Sequence, residues 1–266
     1  MSDLEGKFTS PPRDAANKPE EHEISRRFDF GSAQVESPRH PQQDYCKVSF
    51  PFEGQMYLAA LVADGVTSAA RAAEASRSAV EWFVRELRKI AETKEINKEV
   101  VENAIRLVNI FLLSRADERS RNFEDDMFTT FVGIVIVGDK VISVHLGDSR
   151  LYLYSGGQLA RMTEDETVAE ELRSRGVTKI GPNDENILMN CLGEEDAEPV
   201  LDEYVAVQGD TWLLISDGVY RVLSDEELKQ ILSQPKDAQS LANDIIGAVK
   251  AKGVVDDTTA VVVKVK

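Results

Sequence analysis

Four aspartates stand at the ends of apolar, strand-like runs, and three of them adjoin glycine or a second aspartate. They occur as Gln43-Asp44, Ala63-Asp64-Gly65, Ser216-Asp217-Gly218 and Asp256-Asp257-Thr258. A β-run that stops at an acid puts a carboxylate at the edge of a sheet, where it adds nothing to a core. Two unit charges about 4 Å apart repel by roughly 4 kcal/mol at an effective dielectric of about 20. Carboxylates gathered at one sheet edge therefore require protons or a cation between them. All-oxygen ligands suit magnesium or manganese better than zinc. The pattern predicts a fold that brings several strand ends together around a two-metal site.

The segments between these aspartates alternate in blocks of helix and strand. Residues 55–63 form a β-rich run. A helix follows over 69–90, where Ala73, Val80, Phe83, Val84, Leu87 and Ile90 recur at helical spacing. A second helix over 97–119 puts Val101, Ala104, Leu107, Val108, Phe111 and Leu112 on one face. Strand pairs then flank short glycine turns: 129–137 and 140–146 around Gly138-Asp139, 150–154 and 158–162 around Gly156-Gly157, and 204–207 and 211–215 around Gly209-Asp210. Ser224 with Glu227 makes a capping box. A last helix over 237–252 uses Leu241, Ala242, Ile245, Ile246 and Val249 and stops at Gly253, before a closing strand over 258–265. Hairpins outnumber β-α-β units, which predicts an α+β fold of antiparallel sheets with helices outside a sheet sandwich.

Residues 1–26 carry Pro11-Pro12, Pro19 and many charges with almost no apolar periodicity, so they read as a disordered tail. No second low-complexity linker follows, and residues 27–266 read as a single domain. The chain of 266 residues is 42% hydrophobic, enough for one sizeable core. Its formal net charge of −16 argues against binding a nucleic-acid backbone by general attraction. No apolar run reaches the ~18 residues of a membrane span. The two cysteines, Cys46 and Cys191, lack CxxC spacing, which predicts buried thiols in a reducing cytoplasm. A monomer is expected.

Seven motifs in order carry a family resemblance: Arg39-His40-Pro41-Gln42-Gln43-Asp44, Ala63-Asp64-Gly65, Thr129-Thr130, Gly147-Asp148-Ser149-Arg150, Thr163-Glu164-Asp165, Ser216-Asp217-Gly218 and Asp256-Asp257-Thr258-Thr259. Together they resemble the metal-dependent protein serine/threonine phosphatases of type 2C, in their bacterial form. The resemblance implies a four-layer αββα sandwich of two antiparallel β-sheets flanked by helices. It also implies two Mn2+ or Mg2+ ions held by Asp64, the Gly65 carbonyl, Asp217 and Asp256, with Asp44, joined by Gln43, ordering metal-bound water. Arg39 would bind the phosphate, for which a guanidinium offers a planar fork of donors. A third, weaker metal near Asp217 would use Asp125 or Asp126, between which the spacing does not choose. The reaction implied is hydrolysis of phosphoserine or phosphothreonine by metal-activated water, on a phosphorylated protein, with a serine/threonine kinase as partner.

Some residues read as structural. Asp148 and Arg150 pair with backbone or with each other, Thr129 and Thr130 pack or cap a strand, and His145 is a core histidine. The chain also departs from the family. Val66 stands where a histidine or methionine often follows the Asp-Gly pair, and Val66 cannot carry a proton. Phe128 replaces a glycine before the paired threonines. The flap-like stretch 166–190 is short and has Glu166 and Asn190 where histidine and arginine are usual. These departures keep two alternatives open: a catalytically weak, phosphatase-like binding or sensor domain, and a two-metal hydrolase of small phosphoesters.

Overall fold

The computed structural model describes residues 19–51, 55–116, 126–181 and 183–266. Ten strands form two five-stranded sheets. One has β1 (Phe28–Val35), β10 (Thr258–Val265), β9 (Thr211–Ile215), β6 (Arg150–Ser155) and β7 (Gln158–Arg161), in that order. The other has β2 (Asp44–Ser49), β3 (Leu58–Asp64), β4 (Phe131–Val137), β5 (Lys140–Leu146) and β8 (Val200–Val205). Every pairing between these strands is antiparallel.

The inner strands β3, β4, β9 and β10 are apolar on both faces because each face meets a different layer. In β3, Leu58, Ala60 and Val62 point between the sheets, while Ala59, Leu61 and Ala63 point outward to helices. In β9, Trp212 and Leu214 meet the other sheet, and Leu213 and Ile215 face outward. Outside the second sheet lie α2 (Ala72–Ala91) and α3 (Lys98–Arg115), which bury Phe83, Leu87, Val101 and Val108. Outside the first sheet lie α6 (Asp225–Leu232) and α7 (Ala238–Lys252), which bury Leu228, Leu241 and Ile245. The result is the expected αββα sandwich. Each fully buried Val, Leu, Ile or Phe stabilises the fold by about 1.5–3 kcal/mol. A few such residues outweigh the roughly 4 kcal/mol by which one pair of close carboxylates repels.

Local signals in the sequence act as read. Ser224 with Glu227 closes the capping box of α6, and the structure adds a cap not read from the sequence, Asn97 of α3, which accepts from the Val100 N–H. Gly138 and the Gly156-Gly157 pair turn their hairpins at positive φ. Both cysteines are free and buried.

Three readings change. The Gly209-Asp210 turn does not join a hairpin: β8 pairs with β5 and β9 with β10 and β6, so this connection crosses between sheets. A turn signal marks a reversal, and short-range pattern does not say which sheet receives the next strand. On α3, Leu107 is 43% exposed and Ile105 is buried in its stead, so the buried stripe is rotated from the expected one. Finally, α1 (Pro19–Arg27) lies in the stretch read as tail, and its Ile24 packs among Phe28 and Leu58 of the inter-sheet core. One apolar anchor in a charged segment leaves no periodicity to detect. Residues 1–18 lie outside the described residues. Among the described residues, no helix is long and apolar enough to cross a membrane.

Candidate metal centre

Asp44 opens β2 and Asp64 closes β3, and the antiparallel register sets these two acids directly opposite each other. Like charges in that relation destabilise a sheet. The other sheet ends at the same place. Ser216 and Thr259 donate to Asp44 Oδ2 over 2.7 and 2.6 Å, which brings the end of β9 and the start of β10 against β2. Ser216 Oγ also accepts from the Thr259 N–H over 3.0 Å. Asp217 follows directly as the first residue of a one-turn helix, α5 (Asp217–Tyr220).

Glycine is required here by close packing. A Cβ at Gly65 would lie 2.3 Å from the Ala72 carbonyl oxygen, and one at Gly218 would lie 2.1 Å from that of Asp257. Neither has positive φ, so contact rather than backbone conformation excludes a side chain. Asp257 supports the loops: its carboxylate accepts from the Ser37 and Gln43 N–H groups, each over 2.6 Å. Thr129 and Thr130 bind the backbone of Asp64 from both sides. Thr129 Oγ1 donates to the Asp64 carbonyl over 2.9 Å, and Thr130 Oγ1 accepts from the Asp64 N–H over 3.0 Å. The paired threonines thus place a carboxylate and do not merely begin a strand.

Burial pushes the Asp64 carboxyl well above the usual range, and the charges of Asp44, Asp217, Asp148 and Asp256 add to it. Burial likewise raises Asp217, with repulsion from Asp148 opposed by Arg221, whose guanidinium stands 2.6 Å from Asp217 Oδ2. Burial lifts Asp44 to about 7 despite the hydroxyls of Thr259 and Ser216. Five carboxylates therefore share one electrostatic neighbourhood. Two of their buried oxygens, Asp44 Oδ1 and Asp217 Oδ1, have no hydrogen-bond partner.

These observations test whether a divalent cation fits. The donors are carboxylate and carbonyl oxygens, the mutual repulsion calls for positive charge, and buried oxygens stand unpartnered. They fit magnesium or manganese. Among the described residues, no three His, Cys, Asp or Glu side chains form a closed cage. An open shell suits hard cations that keep several waters.

The other expected residues divide. His40, given no task in the sequence, lies against Asp256 (Nε2 to Oδ1, 3.1 Å) and Asp257 (Nδ1 to Oδ2, 3.5 Å). Burial draws the His40 ring down, but the Pro41 carbonyl and the two aspartates together raise it. Arg39 is exposed, and its N–H donates to Ser37 Oγ over 3.1 Å. Asp126 gives its backbone carbonyl to the Arg71 N–H. It is not among the leading charges on Asp217, which are Asp148, Arg221, Asp256 and Asp44. Asp125 lies outside the described residues.

Asp148 does more than the turn role its sequence suggests. Among the described residues its hydrogen bond comes from Tyr220, which donates to Oδ2 over 3.0 Å, while Arg150 acts on it as a nearby charge; the charge of Asp148 is the largest acting on Asp217. Arg150 instead holds Asp165 over 2.6 Å and stacks 3.5 Å over the Tyr220 ring. Only the crossing of β5 to β6 beside α5 brings Asp148 to the centre. Glu166 and Asn190, the odd residues at the flap ends, bind each other, with Asn190 Nδ2 donating to Glu166 Oε1 over 2.9 Å.

A family model described as protein phosphatase 2C matches residues 34–245. The chain belongs to this family. It is 34% identical over 147 residues to the serine/threonine protein phosphatase PstP of Mycobacterium tuberculosis, covering 53% of this chain and 28% of that protein. It is 30% identical over 180 residues to the serine/threonine phosphatase stp of Listeria welshimeri, covering 65% of each. The chain thus spans less than two thirds of the length of either relative. Among solved structures, the S. agalactiae serine/threonine phosphatase matches 90% of this chain and 100% of its own, with a TM-score of 0.79 at 23% identity. The catalytic domain of PstP in complex with two manganese ions matches 90% of this chain and 98% of its own, with a TM-score of 0.75 at 25% identity.

His145 is a core histidine, 3% exposed, and burial depresses its pKa to about 4. The unfolded chain takes a proton near pH 6.5 that the folded state refuses until about pH 4. Its contribution is therefore complete above pH 6.5 and declines as pH falls toward 4, by about 3 kcal/mol in all. His145→Gln should remove that share of acid destabilisation. Urea midpoints of the two proteins measured from pH 7 to pH 4 should converge; parallel curves would contradict it.

Proposed function

We propose that this chain is a metal-dependent protein serine/threonine phosphatase that releases phosphate from phosphoserine or phosphothreonine with water as the nucleophile. The observation that carries this reading is the gathering of Asp44, Asp64, Asp148, Asp217 and Asp256 at one end of the sandwich. A scaffold gains nothing from five carboxylates gathered in one electrostatic neighbourhood. The neighbouring family members named as serine/threonine phosphatases, and PstP with its two manganese ions, support it.

In this reading Asp64, Asp217, Asp256 and the Gly65 carbonyl hold two manganese or magnesium ions. When bound, such ions supply a hydroxide nucleophile near neutral pH and offset charge on the phosphoryl group. The protein's own part is placement. Ser216 and Thr259 fix Asp44 through Oδ2, leaving Oδ1 to accept a hydrogen bond from water. Thr129 and Thr130 fix the turn at Asp64. Arg39, exposed beside this centre in sequence, binds the incoming phosphate by its fork of donors. Val66 provides no proton, so the leaving alkoxide takes one from water. We assign Asp148 to the same electrostatic set. A phosphorylated protein is the substrate, and a kinase of opposite activity is the partner class this implies.

The purified chain assayed on a phosphothreonine peptide should release phosphate with manganese and not with excess chelator. Asp217→Ala should lose this activity; equal turnover by the variant would refute the site. Arg39→Ala should raise KM by about tenfold with less effect on kcat. An unchanged KM would take the phosphate from Arg39.

A further inference from the structure

A cavity of about 620 Å3 is walled by β5, β8, α4 (Val168–Ser174) and residues 162–167 and 189–190. That volume suits a ligand or a long side chain. Six carboxylates line it, those of Glu164, Asp165, Glu166, Glu170, Glu171 and Asp202, and no lysine or arginine does. Some are engaged: Asp165 with Arg150 and Arg161, Glu170 with Arg173, Glu171 with Arg175. Glu164 and Asp202 are exposed. The wall also holds apolar surface, with Met189 54% and Val200 47% exposed.

A second observation is independent of the acids. His145 lines the cavity with a side chain only 4% exposed, and its Nε2 has no hydrogen-bond partner. Its Nδ1 faces Glu166 Oε2 at 3.9 Å. With the proton on Nδ1, Nε2 offers a lone pair to an N–H donor. A buried acceptor left unsatisfied marks a place for a donor. Donor, positive charge and apolar stem together describe a lysine or arginine side chain. The cavity is also tied to the metal centre. Glu166 Oε2 accepts from the Gly147 N–H over 2.7 Å, and the next residue is Asp148.

We propose that this cavity receives a basic side chain of the phosphorylated protein, from a residue near the phosphorylated one. The proposal rests on the phosphatase reading and adds a substrate class to it: phosphoproteins with lysine or arginine flanking the site.

Binding separates the two ideas. A fluorescent, unphosphorylated arginine peptide should bind about tenfold tighter than its citrulline twin, as expected for hydrogen bonds to charged groups. Glu164→Gln/Asp202→Asn should bind both peptides alike. A charge-matched control, Glu92→Gln/Glu226→Gln, should keep the preference. Equal binding of the twins by the native chain, or a preference that survives in the cavity variant, would overturn the proposal. So would saturable binding of spermidine without discrimination between peptides, which would assign the cavity to free polyamines. Phosphorylated versions of the twins then report turnover. Release of phosphate from neither, with the binding preference intact, would sink the phosphatase reading and leave the cation site standing.

Discussion

Asp64→Asn is expected to lower manganese-dependent phosphate release by about a thousandfold, the upper range for removing one group that stabilises transition-state charge. The same change should make the metal-free protein more stable. Desolvation, with the charges of Asp44, Asp217, Asp148 and Asp256, holds the half-buried Asp64 carboxyl above the usual range. An acid raised in this way favours the folded state only while protonated, so its contribution is lost as pH rises above about 4. Asparagine keeps the shape and drops the charge. In thermal melts above pH 7, the metal-free variant should therefore unfold at a higher temperature than the native chain. Added manganese should reverse the order, because a cation at 100 times its dissociation constant stabilises by about 2.7 kcal/mol and only the native site binds it well. Retained activity, or an equal manganese shift in both proteins, would remove Asp64 from the metal centre.

Gly218→Ala should produce a large loss of stability from a single methyl group at the site. The new Cβ would meet the Asp257 carbonyl oxygen at 2.1 Å and Thr258 Oγ1 at 2.7 Å. Backbone cannot move aside as a flexible side chain does, so the cost is about 3 kcal/mol or more. For a domain of this size that corresponds to a fall in Tm of roughly 6–12 °C. The strain falls between the residues that position Asp217 and Asp256, so activity should drop with it. Gly247→Ala is the comparison: nothing lies within 4 Å of its Cβ, and it sits inside α7. It should stabilise by about 0.5–1 kcal/mol. Similar melting temperatures for the two variants would contradict the packing argument.

Much of the centre was legible because its chemistry is written locally. Asp44, Asp64, Asp217 and Asp256 each stand beside a strand end, and a strand end is a short-range property. Hairpin turns at Gly138 and at Gly156-Gly157 are legible for the same reason. Other features depend on what packs against what. Asp148 has the sequence of an ordinary turn acid, and it reaches the centre because β5 and β6 belong to different sheets. Ser216 and Thr259 are 43 residues apart, and nothing in either neighbourhood says that both bind Asp44. The burial of Ile24 in a charged segment and the exposure of Leu107 on a helix face are not legible in the sequence because burial depends on the partner surface.

By itself the sequence determined the alternation of helices and antiparallel strands, the apolar layers and the chemical type of the centre. Those follow from residue spacing and from the need of acids for a cation. Tertiary structure decided which acids repel one another, which hydroxyls hold them, and where His145 meets a cavity lined with carboxylates. Coulomb energies and hydrogen bonds depend on distances across sheets, and those distances exist only once two sheets have packed face to face.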